Sequence, residues 1–171
     1  RSSTPFPHYW KRSFGSGHAA LGLRPDWQEA LARAVHDYGL GGIRQHGLFD
    51  DDMNMVSGLR ADGSAIYNFT NLDVLWDVHV KNGVHPIVEL GFMPWALANC
   101  SSKAYPHAEL AACPDPNAGW IRTGAAVPPR HWSDWYDLVK ATVAHAVQRY
   151  GLAEVRQWHF EVWNELWGVN G

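Results

Sequence analysis

The chain is 171 residues long, with ten Trp, six Tyr and six Phe and a formal net charge of −3. A chain of that size can bury about 70% of its unfolded surface in one core, and its interspersed charges leave no basic face for nucleic acid. Its apolar runs fall well short of the roughly 18 residues of a membrane span, which argues against a membrane partner.

In chain order, Trp10 to Phe14 is a weak first strand ahead of the turn Gly15-Ser16-Gly17-His18. Arg24-Pro25-Asp26 opens a helix with Pro in the first turn, where an amide N–H has no partner to lose. Trp27, Leu31, Ala34, Val35 and Tyr38 form its apolar stripe, and Gly39 stops it. Gly42 to His46 reads as the second strand. Thr70-Asn71-Leu72-Asp73 has the form of a capping box, and Gly83 closes the helix it opens. Val84 to Leu90 is a third strand. Ser133 is expected to cap a third helix, striped by Trp135, Leu138, Val139, Thr142, Val143, Ala146, Val147 and Tyr150 and ended by Gly151. Val155 to Trp163 closes the series as a strand.

The alternation β-α-β-α-β-α-β implies a parallel sheet covered by helices. No Gly-x-Gly-x-x-Gly or phosphate loop follows the first strand, which counts against a nucleotide-binding, doubly wound sheet. His46, Glu89 and Glu165 fall at the C-terminal ends of strands, the face on which barrels build their sites. A complete barrel takes about 250 residues and eight strands. The expectation is therefore an α/β chain forming the N-terminal half of a (β/α)8 TIM barrel. Residues 1–171 would be part of one catalytic domain, truncated after strand 4. Arg1-Ser2-Ser3-Thr4-Pro5 is not a natural start, so an N-terminal piece lost by processing or truncation is expected.

Alternation along the last strand puts Glu161, Trp163 and Glu165 on one side and Phe160 and Val162 on the other, toward the helices. A buried Glu161 must be paired, and Arg44 is the partner expected, with Glu89 as an alternative acid for that same arginine. Glu165 differs because it sits at the rim beside Asn164. Glycoside hydrolysis uses two carboxyl groups across the scissile bond. Glu165 can serve as the proton donor if apolar neighbours such as Trp163 and Trp167 raise its pKa. Asn164 can then hydrogen-bond the sugar 2-hydroxyl. The alternative reading, that Asn-Glu caps a following helix, stays open on the motif alone. His18 and His46 read either as neutral donors to sugar hydroxyls or as satisfied structural histidines. Asp50-Asp51-Asp52 lacks the spaced ligands and distal Glu of a calcium loop and reads as a solvated turn. Trp95, Trp163 and Trp167, near strand ends, are candidate sugar platforms. The pattern calls for no metal and no cofactor.

Cys100 and Cys113 lie thirteen apart in a stretch rich in Pro, Ser, Ala and Asn, without zinc-site spacing. They form a loop-closing disulfide or are two unrelated thiols. The sequons at Asn68 (Asn68-Phe69-Thr70) and Asn99 (Asn99-Cys100-Ser101) tilt the reading toward an extracellular or lumenal protein.

Several segments resemble glycoside hydrolase family 39, of the large clan of (β/α)8 retaining glycosidases. They are Phe14-Gly15-Ser16-Gly17-His18-Ala19-Ala20-Leu21, Ile43-Arg44-Gln45-His46-Gly47-Leu48-Phe49-Asp50-Asp51-Asp52-Met53, Asn68-Phe69-Thr70-Asn71-Leu72-Asp73, Val88-Glu89-Leu90-Gly91-Phe92-Met93-Pro94 and Phe160-Glu161-Val162-Trp163-Asn164-Glu165. The resemblance implies Glu165 as general acid/base, Asn164 as its substrate-binding neighbour, and His18 and His46 as sugar contacts. It also implies a nucleophilic Glu on a seventh strand, which no residue here matches. Leu166 stands where the family usually has Pro, which leaves the loop after Glu165 freer. The Asp-Asp-Asp-Met and Phe-Met-Pro segments look closer to β-xylosidases, whereas Tyr67-Asn68-Phe69-Thr70 is similar to the α-L-iduronidase branch. A non-catalytic carbohydrate-binding barrel is the reading from another class.

Overall fold

The computed structural model of the chain describes residues 6–99 and 127–164. Four strands form one parallel sheet: β1 (Phe14–His18), β2 (Gly42–His46), β5 (His85–Glu89) and β6 (His159–Glu161), in the order β1-β2-β5-β6. Strand order follows chain order without a reversal. Doubly wound sheets reverse at a switch point, so a sequential order is that of a barrel wall. The intervening strands β3 (Val56–Leu59) and β4 (Ala65–Tyr67) form a separate antiparallel hairpin. The sequence reading lacks this hairpin. Its turn carries a local signature in Asp62-Gly63, with Gly63 at φ 84° and Asp62 Oδ1 accepting from the Ser64 amide and hydroxyl.

Helix α1 (Pro25–Tyr38) begins on its proline and ends on Gly39, whose φ of 66° suits a residue without Cβ. Leu31 and Val35 carry α1 onto Ile43 and Val84 at the back of the sheet. Helix α2 (Thr70–Lys81) starts differently from the expected capping box. Phe69 holds the N-cap position without a side-chain bond, and Asn68 before it makes an Asx turn, its Oδ1 accepting from the Thr70 amide at 3.1 Å and hydroxyl at 2.8 Å. Helix α3 (Trp132–Tyr150) starts one residue before Ser133 and buries Leu138, Thr142 and Ala146. Helices α2 and α3 are tied by His145 to Asp73 and by a two-pronged Arg149–Asp77 pair.

A short helix, α4 (Leu152–Val155), takes up the start of the stretch expected to be the last strand, so β6 is only three residues. The first strand is likewise displaced, from the expected Trp10–Phe14 to Phe14–His18. The main core gathers Phe49, Met53, Met55, Leu72, Leu75, Trp76, Val88, Leu138 and Trp158 between sheet, hairpin and helices. Trp76 and Trp158 meet edge to face at 4.9 Å. Phe160 and Val162, expected to face helices, are 42% and 71% exposed, because no described element covers that flank. No helix among the described residues is long and apolar enough to cross a membrane.

Candidate functional site

Parallel register brings the C-terminal strand ends to one edge of the sheet. His18 stands opposite His46, and Glu89 opposite Glu161. Their side chains converge there because residues two apart on a strand share a face, so Arg44 and His46 of β2 both point inward.

Arg44 is the hub. Its Nε and Nη2 donate to Glu161 Oε2 and Oε1 at 2.7 and 2.9 Å, the two-pronged pair expected from the sequence. Nη2 also donates to Asn164 Oδ1 at 2.8 Å and lies 3.0 Å from Glu89 Oε2. Both candidate acids therefore meet the same guanidinium. They respond differently. The Arg44 hydrogen bonds hold Glu161 below the usual carboxylate range. Burial, with the side chain fully out of solvent, pushes Glu89 up to about 7 against the opposing pull of Arg44.

Arginine has only donors, so the Asn164 atom facing it is the carbonyl oxygen. The amide NH2 of Asn164 is thereby left to point elsewhere. This bond, invisible in a sequence read strand by strand, fixes the residue immediately before Glu165. Trp163 packs edge to face on Phe92 at 5.6 Å and against Trp135 at 5.9 Å, making an aromatic wall. Trp95 lies half-buried just past β5.

The histidines sit together, their rings 5.7 Å apart and edge to face. His18 is held by carboxylates, as the structural reading of this histidine has it. Its Nε2 lies 2.7 Å from Asp52 Oδ2 and its Nδ1 3.7 Å from Asp50 Oδ2. The bond to Asp52 raises its pKa and outweighs the opposing effect of burial. The Asp50-Asp51-Asp52 run is likewise not simply a solvated turn. Asp50 is 1% exposed and accepts the Phe92 amide, while Asp51 accepts the Trp95 amide, each at 3.1 Å. His18, Asp50 and Asp52 place ligand-type atoms within 4.8 Å of one another. The imidazole–Asp52 bond uses one ligand atom of the group, while Asp50 Oδ2 and Asp52 Oδ1 have no hydrogen-bond partner among the described residues, and we assign it no metal.

Glu165, Trp167, Cys100 and Cys113 lie outside the described residues, as does most of the Asn99 sequon. Asn68 is half-buried, its carbonyl oxygen accepting from Thr70 at the start of α2.

Comparison with known proteins covers the same span. The model for glycosyl hydrolases family 39 matches residues 1–166. A β-xylosidase of Geobacillus stearothermophilus is 35% identical over 162 residues, 94% of this chain and 29% of that protein. The crystal structure of a monomeric β-xylosidase from Caulobacter crescentus CB15 superposes with a TM-score of 0.76 at 33% identity, covering 96% of this chain and 30% of that one. An α-L-iduronidase of Mus musculus is 27% identical over 137 residues, 80% of this chain and 17% of that protein. The chain thus spans under a third of the length of these relatives, and its sheet corresponds to the N-terminal part of a TIM barrel.

Proposed function

This chain belongs to glycosyl hydrolase family 39, and on that premise we propose that it supplies the acid/base half of a retaining, β-xylosidase-like glycosidase. Glu165 protonates the leaving oxygen and then deprotonates the incoming water. The nucleophile is a glutamate from a later strand, in sequence beyond residue 171. Asn164 donates its amide hydrogens to the sugar 2-hydroxyl, and Trp163 shields the acid from water so that it keeps its proton until needed. His46 and the Glu89–Arg44 pair line the floor.

The observation that carries this reading is the Arg44–Asn164 hydrogen bond, which locks an amide by its carbonyl oxygen, its donors without a partner among the described residues, one residue before the family's acid/base position. Xylosidase is preferred over iduronidase because the bacterial xylosidase is the more similar, 35% against 27% identical, over more of the chain. The sequons and the cysteine pair support a secreted or lumenal setting for the whole protein.

The test uses an enzyme extended to the length of its relatives. Glu165→Ala is expected to lower hydrolysis of an unactivated xyloside by about 10²–10⁴-fold. Azide is expected to rescue turnover of an activated aryl xyloside by giving the azide adduct with retained configuration. Wild-type rates in Glu165→Ala would sink the assignment. A chain of residues 1–171 alone should show no turnover, since it has no nucleophile to form the glycosyl-enzyme. Absence of a strand-end glutamate in the downstream half would favour the carbohydrate-binding alternative.

A further inference from the structure

Three loops meet at the sheet's C-terminal edge, those following β1, β2 and β5, and one acidic run touches all three. Asp52 reaches back to His18 at the end of β1. Asp50 faces both ways, with Oδ2 3.7 Å from His18 Nδ1 and Oδ1 accepting the Phe92 amide past β5. Gly47 seals the contact from behind. At φ 73° it brings its backbone so close that a Cβ would stand 2.5 Å from Asp50 Oδ2 and 2.7 Å from His18 Nδ1. Phe92 in turn supports the Trp163 ring.

We propose that His18 is a charge-dependent positioning residue. As an imidazolium it braces Asp50 and Asp52, and through Asp50 it holds Phe92 and the aromatic wall of the site. The argument is one of hydrogens and lone pairs. Nε2 is hydrogen-bonded to Asp52, whereas Nδ1 stands 3.7 Å from Asp50 Oδ2, beyond a hydrogen bond but close enough for its charge to be felt. Only the doubly protonated ring turns a hydrogen toward both carboxylates. When the proton leaves, one nitrogen turns a lone pair toward a carboxylate, and attraction becomes repulsion. The groups facing His18 are Asp50 and Asp52 from the loop after β2, Glu89 from the end of β5, and the His46 ring from β2. Arg44 offsets Glu89 from the far side. Carboxylates therefore dominate the surroundings, which favours the charged ring and explains why the short bond to Asp52 raises its pKa. Asp51 stands apart, because its contact with the Trp95 amide does not pass through His18. The brace does not depend on which sugar the site takes, nor on Glu165.

Backbone amide hydrogen exchange, followed by NMR on the protein extended to the length of its relatives, from about pH 5 to pH 9, tests this directly. Corrected for intrinsic rates, the Phe92 amide should lose about fivefold in protection as His18 deprotonates, the worth of one partly screened charge pair, while the Trp95 amide changes little. Asp52→Asn should move the Phe92 midpoint to lower pH, and Asp52→Glu should restore it. In His18→Gln, neutral at every pH, Phe92 should stay at the low protection with no midpoint. A flat Phe92 profile in the wild-type chain would overturn the proposal. So would Phe92 and Trp95 loosening together, an unmoved midpoint in Asp52→Asn, or a midpoint surviving in His18→Gln.

Discussion

Strand β2 has two faces, and they treat buried polarity in opposite ways. On the inner face Arg44 meets Glu161, Asn164 and Glu89 within 3.0 Å. On the outer face Gln45, 6% exposed, lies under the helices near Trp27 and Leu75, close to Gly22. His79 of α2, 1% exposed, lies against the same Trp27. Neither amide atom of Gln45 and neither ring nitrogen of His79 has a hydrogen-bond partner among the described residues. The inner polarity is built around an opposite charge: the Glu89 oxygens also lack a hydrogen-bond partner among the described residues, yet they lie against the Arg44 guanidinium. The outer polarity is unanswered and weakens the scaffold. An unmade buried hydrogen bond costs about 1–3 kcal/mol, and a buried imidazole cannot take up its proton. Burial alone presses His79 down to about 3.

Four substitutions probe that contrast, in descending size. Arg44→Leu removes the hub and strands Glu89 and Glu161. It should cost about 3 kcal/mol in urea unfolding at pH 7, toward the low end for a buried pair because Arg44 is 31% exposed. A loss under about 1 kcal/mol would show that the network contributes little beyond geometry.

His79→Leu should act through pH. A histidine whose folded pKa is depressed leaves stability intact above its unfolded value of about 6.5 and erodes it as pH falls toward 3. Relative to wild type, the leucine variant should therefore gain about 2 kcal/mol on going from pH 7.5 to pH 5. Equal pH slopes for the two proteins would mean that His79 is solvated in the native state. Gln45→Leu should raise stability by about 1 kcal/mol with no change in pH slope. A destabilised variant would point to partners for the amide that static geometry misses. Asp77→Ala should cost about 0.5 kcal/mol or less and nothing at high salt, because Arg149 and Asp77 are 40% and 47% exposed.

Local chemistry made some of this legible from sequence and hid the rest. Helix α1 could be bounded almost to the residue because Pro25 and Gly39 act within one turn. The Arg44–Glu161 pair was also predictable, since strand alternation sends both inward and a buried charge needs an opposite. By contrast, the Asp50-Asp51-Asp52 run resembles a solvated turn because its partners are far away in sequence. His18 is 34 positions from Asp52, Phe92 is 42 from Asp50 and Trp95 is 44 from Asp51. Nothing near the aspartates announces those amides. The hairpin β3–β4 is hard to see in the sequence for another reason. Its strands are short and half-exposed, without the apolar run that marks a sheet interior, and only the Asp62-Gly63 turn betrays it. The shortened β6 follows from the turn of helix at Leu152–Val155, whose Val155 is buried as a strand residue would be.

Because Arg44 engages the carbonyl end of Asn164, the polarity of the mouth is set from behind. In the proposed function, a sugar hydroxyl at that spot meets hydrogens and must bring a lone pair to them. An aspartate there would keep the shape and offer the reverse, so the arginine beneath determines which half of a hydroxyl's chemistry is read above it.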